Sequence, residues 1–145
     1  MKNRDYLKYF KIVRKFIQSK YKLKLQDLEI LLYLSSEGYF SKQVFSDYKQ
    51  VFPWEKDRIE RLTEEGWINV FREKTKKRKA LYILSYRAKK MISQFYGIIE
   101  GEEITENPNY NPIFKDESPF NERICRYMIK KRNKIIKQQR HPFQK

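Results

Sequence analysis

Residues 54–85 read WEKDRIERLTEEGWINVFREKTKKRKALYILS, and this stretch decides the fold, because a helical pattern gives way to two strand patterns around a charged run. Trp54, Arg58, Ile59 and Leu62 recur at three- and four-residue spacings and share one helical stripe. Gly66 is placed to close that helix in a left-handed conformation. Trp67 to Arg72 and Ala80 to Leu84 are rich in aromatic and β-branched residues, with EKTKKRK (73–79) between them. A helix followed by two short strands with a cationic tip is the order expected of a winged helix. The wing is expected to touch a phosphate backbone.

Working outward, the pattern is helical on both sides. Upstream, Ser41 is placed to cap a short helix, SKQVFSDYKQ, and Pro53 to start the next. LQDLEILLYLSSE (25–37) is apolar nearly all round, as expected of a helix enclosed by others, and Gly38 ends it. Near the start, Tyr6, Tyr9, Phe10, Val13 and Ile17 form a helical stripe, with Leu7 and Ile12 off it, which suggests a second apolar surface. Downstream, Ser85 is placed to cap a long helix bearing Ala88, Met91, Ile92 and Phe95 on one face.

Past Gly101 the character changes. Residues 101–119 start acidic and carry Pro108, Pro112 and Pro119, which reads as an extended connection with Tyr110, Ile113 and Phe114 available for packing. From Arg123 to the end there are nine basic residues and no Asp or Glu, on a thin apolar stripe of Ile124, Met128, Ile135 and Ile136. This is expected to be a basic arm, separable from the core and ending in a tail. The expected organisation is therefore an N-terminal helix (1–22), a winged-helix domain (23–100), the connection (101–119) and a basic C-terminal helix and tail (120–145). The fold class is mainly α with a small β-hairpin.

Composition narrows the function classes. The chain has 145 residues, 40% hydrophobic and 16% aromatic, enough for a packed core. Its 33 Lys and Arg against 18 Asp and Glu give a formal charge of +15, which favours polyanion partners, nucleic acid first. Cys125 is the one cysteine, so there is neither a disulfide framework nor a thiolate cluster for zinc, as suits a reducing cytoplasm. No apolar run reaches membrane-spanning length, and MKNRDYLKYF lacks a signal-peptide core. A soluble intracellular protein is expected, in the cytoplasm or in a viral or phage assembly. With no Gly-rich phosphate loop, no nucleophile elbow and a lone His141, no enzyme, cofactor or metal site is expected.

Taken together, LQDLEILLYL, the short helix from Ser41, RIERLTEEGWINVFRE, the basic hairpin and ALYILSYRAKK resemble the DNA-binding half of MarR-type winged-helix regulators, over about residues 23 to 96. The resemblance rests on a buried leucine-rich helix and then a helix-turn-helix. After these come a Leu-x-x-x-Gly-hydrophobic corner (Leu62, Gly66, Trp67, Ile68), a wing, and a second corner (Ile83, Leu84, Ser85, Ala88). Where MarR-type wings usually carry an Asp-Arg pair, this chain has Thr75, Lys76, Lys77 and Arg78. The resemblance implies a regulator of transcription, dimeric, with recognition helices in successive major grooves of duplex DNA. The residues expected against DNA are Ser41 and Lys42, Lys56, Arg58 and Arg61 on the recognition helix, Lys74, Lys76, Lys77, Arg78 and Lys79 on the wing, and Lys130, Lys131, Arg132 and Lys134 on the arm.

Arg58 and Arg61 have two readings: contacts to guanine, or pairing along the helix surface with Glu55, Glu64 and Glu65. The helix 54–65 is net acidic, through Glu55, Asp57, Glu60, Glu64 and Glu65, which suits a basic protein surface better than phosphate. The alternative is therefore a non-enzymatic structural or adaptor subunit of a nucleoprotein or virus-like assembly, meeting its partner through the N-terminal helix or helix 54–65.

Overall fold

The computed structural model describes residues 6–50, 57–115 and 120–140. The described elements are α1 (Tyr6–Tyr21), α2 (Leu25–Leu34), α3 (Lys42–Lys49), α4 (Arg58–Glu64), β1 (Ile68–Arg72), β2 (Leu81–Leu84), α5 (Tyr86–Ile99), a 3-10 turn (Pro112–Phe114) and α6 (Phe120–Arg140). They fall into two compact units: Lys24–Ile92, and the residues up to Leu23 together with those from Ser93 on. The fold is mainly helical with a small antiparallel hairpin, as its patterning predicts.

In the unit Lys24–Ile92, α2 buries Leu28, Ile30, Leu31 and Leu34, as its nearly continuous apolar surface requires. It stops at Leu34, earlier than expected, and the chain turns through Gly38 at φ +70°. Phe40 then pairs with Tyr82, each N–H donating to the other's carbonyl, at 2.9 and 2.8 Å. β1 lies antiparallel on the other edge of β2, in the register Ile68↔Leu84, Asn69↔Ile83 and Val70↔Tyr82. The next pair is Arg72↔Leu81, so Phe71 is an extra residue in a β-bulge. Helix, single bridge, two helices and hairpin follow one another in winged-helix order.

The corner between α4 and β1 is built as the Leu62–Gly66 spacing predicts. Trp67 N–H donates to Leu62 O at 2.9 Å and Gly66 N–H to Thr63 O at 3.1 Å, with Gly66 at φ +86°. This is a Schellman closure, and the left-handed residue in its middle is the one with no Cβ to clash. It seats Trp67 in the core with the Arg87 guanidinium 4.0 Å from its ring centroid. Ser85 caps α5, its Oγ accepting from Ala88 N–H at 3.1 Å.

The other unit corrects the reading of the C-terminal arm. α6 is a core helix: Cys125, Ile129 and Ile136 are buried with Tyr9, Ile12, Val13, Phe16 and Ile17 of α1, Phe95 and Ile98 of α5, and Ile104 and Ile113. The stripe expected to carry packing is rotated from the real one, since Ile124 is 53% exposed. The described part of the connection, 101–115, runs without regular structure to Asn107 and then through a turn and the 3-10 turn, and side chains bind its backbone at several points. Asn133 Nδ2 donates to Ile104 O at 2.7 Å and its Oδ1 accepts from Ile104 N–H at 3.0 Å, a two-point clamp that replaces a missing strand partner. The buried Asn111 side chain likewise donates to Thr105 O and accepts from Ile113 N–H. α1 packs against α6 and the 3-10 turn within the unit, and of the second apolar surface read from its sequence Ile12 is buried and Leu7 is exposed.

Candidate nucleic-acid interface

The wing is an ordered hairpin tip rather than a loose loop. Thr75 N–H donates to Arg78 O at 3.0 Å, and Arg78 N–H donates to the Thr75 hydroxyl at 3.1 Å. The two bonds close the tip over Lys76 and Lys77. At its base, Arg72 Nη2 donates to Lys79 O at 3.1 Å across the ribbon. Lys74, Lys76, Lys77, Arg78 and Lys79 are all exposed, and among the described residues none of them is in an ion pair. Like charges crowded on a short hairpin repel one another, and an anion laid along the tip relieves that repulsion.

Beside the wing is a cleft of about 430 Å³, lined by Ser41, Lys42 and Gln43 at the start of α3, by Glu73, Lys74, Lys79 and Ala80 of the wing, and by Tyr82. The bridge between Phe40 and Tyr82 puts α3 there, because it ties the residue just before Ser41 to the hairpin. Ser41, Lys42, Lys74 and Lys79 were expected against DNA, and the fold brings these four together. Lys42 is ion-paired with Glu60 of α4. The bond from Glu60 raises the Lys42 pKa, and the bond from Lys42 lowers that of Glu60, so both stay charged. Lys74 and Lys79 are in no ion pair among the described residues, and with Glu73 in the same cleft they leave it a net positive charge. Gln43, Glu73 and Tyr82 were not named for the site; Glu73 comes with the wing beside Lys74, whereas the bridge between Phe40 and Tyr82, which no local pattern announces, brings in Gln43 and Tyr82.

Two arginines of the expected recognition helix are bonded to an acid of α2, Arg58 in the core and Arg61 with its side chain 32% exposed. Arg58 is 2% exposed; its Nη1 donates to Asp27 Oδ1 at 2.5 Å and its Nη2 to Gln26 Oε1 at 2.7 Å. Arg61 Nη2 donates to the same Asp27 oxygen at 2.9 Å. The expectation that these side chains reach guanine is corrected for Arg58, whose guanidinium lies in the core and could reach a base only by stripping a buried carboxylate of its partner. Among the described residues Arg61 makes no ion pair with Glu64 or Glu65; the pairing of Arg58 with Glu55 lies outside the described residues, as does Lys56. Asp27 was missed, though a signal existed: it falls in helical register with Leu31 and Leu34, and an acid on a buried stripe requires a cation. The exposed residues of α4 and its ends are Asp57, Glu60, Glu64 and Glu65.

Arg132 also leaves the expected interface. It is buried, with Nη1 donating to Glu102 O at 2.9 Å and Nη2 to Ile98 O at 2.5 Å, and burial lowers its pKa. It caps the Ile98 carbonyl in the last turn of α5 and the Glu102 carbonyl just beyond it instead of facing phosphate. Lys130, Lys131 and Lys134 are exposed as expected.

Among the described residues no cluster of His, Cys, Asp and Glu is placed to hold a metal ion, and no helix is long and apolar enough to cross a membrane. Comparison with protein-family models, with curated proteins and with solved structures returns no match.

Proposed function

We propose that the chain is a nucleic-acid-binding winged-helix protein that grips duplex DNA through its wing and the adjoining cleft, acting as a MarR-like regulator of transcription. The observation that carries this reading is the ordered wing tip, with exposed Lys76, Lys77, Arg78 and Lys79 next to Lys74 at the cleft mouth. Such a tip suits phosphate contact, which positions a protein without reading sequence. No catalytic step is assigned to it.

A second reading has its own observation. With Arg58 and Arg61 held by Asp27, the exposed part of α4 is acidic, so this helix fits a basic protein surface better than a major groove. An adaptor would keep the wing on nucleic acid and present α4 to a protein.

Selection from random duplexes by the full chain, at stated salt, separates the two. A regulator enriches a defined site by at least about 10³ over bulk sequence, whereas an adaptor enriches none while still binding every duplex. Failure to bind any duplex contradicts both.

A further inference from the structure

The outward face of α6 is a second cationic surface, on the unit that does not contain the wing. The rotation of this helix is set by Cys125, Ile129, Asn133 and Ile136 on its buried side and by the bonds of Arg132 and Asn133. The opposite stripe carries Arg123, Tyr127, Lys130, Lys131 and Lys134, all exposed, over about 16 Å of helix. Among the described residues these cations form no ion pair. The nearby acid Glu103 is instead engaged by Lys137 and Arg140, at 3.5 and 3.4 Å.

Tyr127 lies amid these cations and is 65% exposed. An aromatic ring left in water between positive charges contributes nothing to the core. It does offer a flat face to a nucleobase whose phosphates the flanking cations hold. A duplex keeps its base faces inside the stack and has no use for such a ring. A lipid surface asks for an apolar stripe with cations at its flanks. On α6 Cys125, Ile129 and Ile136 are already in the core, Ile124 alone does not make a stripe, and the cations run down the centre of the free face.

We propose that the outward face of α6 binds single-stranded nucleic acid, with Arg123, Lys130, Lys131 and Lys134 on the phosphates and Tyr127 as a stacking platform for one base. This surface acts independently of the wing and does not rest on the regulator reading.

The test titrates the full chain with a labelled mixed-sequence DNA of about twenty nucleotides, single-stranded and annealed, and with anionic phosphatidylserine vesicles. Tyr127→Ala should weaken single-strand binding by about tenfold and Tyr127→Phe should restore it, with duplex affinity nearly unchanged in both. Lys130→Gln, Lys131→Gln and Lys134→Gln together should weaken single-strand binding further and flatten its dependence on salt. These side chains are exposed, so an unchanged unfolding midpoint verifies the fold of each variant. Replacing Lys76, Lys77, Arg78 and Lys79 with Ala should leave single-strand binding in place. The proposal is overturned if Tyr127→Ala is silent, if the wing substitutions alone abolish single-strand binding, or if vesicles rather than single strands respond to the α6 variants.

Discussion

Replacing Asp27 with Ala is expected to lower the free energy of unfolding by about 3–5 kcal/mol, a large share of the roughly 5–15 kcal/mol that holds a domain folded. Asp27 is 4% exposed and its Oδ1 accepts from both Arg58 and Arg61. Removing the carboxylate takes an acceptor from the buried guanidinium of Arg58, 2% exposed, and from Arg61, and breaking a buried charge pair from one side costs far more than the pair itself contributes. Urea unfolding at neutral pH measures this. Changing both partners, Asp27→Leu with Arg58→Met, should recover much of the loss, because the buried guanidinium goes with its acceptor and only Arg61, whose side chain is 32% exposed and can turn to water, loses its bond. A single-variant loss below about 1 kcal/mol would mean that the pair is solvated and weak.

Ending the chain at Glu122 is expected to unfold the unit to which α6 belongs. The truncation removes Cys125, Ile129 and Ile136 from the core, each buried aliphatic side chain contributing about 1.5–3 kcal/mol. It also strips Ile104 of both backbone partners and leaves the carbonyls of Ile98 and Glu102 without Arg132. The thermal midpoint should fall by more than about 8 °C, or the transition should split, with helix lost beyond the deleted residues. An unchanged midpoint would restore the separable arm. A milder probe is Asn133→Leu, which keeps volume but leaves Ile104 N–H and C=O unsatisfied and should cost about 1–3 kcal/mol or more.

What the sequence disclosed and what it hid divide along the range of the interactions. The Gly66 corner and the Ser85 cap are each completed within six residues and the hairpin pairs residues no further apart than Ile68 and Leu84, and each is where its pattern placed it. The bridge from Phe40 to Tyr82 spans more than forty residues, so the cleft that gathers Ser41, Lys42, Lys74 and Lys79 was legible only as separate cations. Arginine was the main source of error. Arg58, Arg61 and Arg132 read as surface charge because arginine usually is, yet they hold Asp27 and the end of α5. On α6 the apolar residues alone placed the buried face too near Ile124. Including the polar pair Arg132 and Asn133 beside Cys125, Ile129 and Ile136 gives the face that is buried. Tyrosine misled in the opposite direction: Tyr110, read as available for packing, is 62% exposed.

The central claim is that the wing holds nucleic acid through its phosphates, and the most direct measurement of it is duplex affinity against salt for the chain and for the variant with Lys76, Lys77, Arg78 and Lys79 changed to Ala. Each phosphate contact removed should flatten the log–log salt slope by about one unit, and affinity should fall on every sequence alike. These side chains are exposed and among the described residues in no ion pair, so the unfolding midpoint should stay where it was. A slope that falls by about two to four units with an unchanged midpoint is the result predicted. An identical slope in chain and variant would remove the wing from the interface and contradict the account.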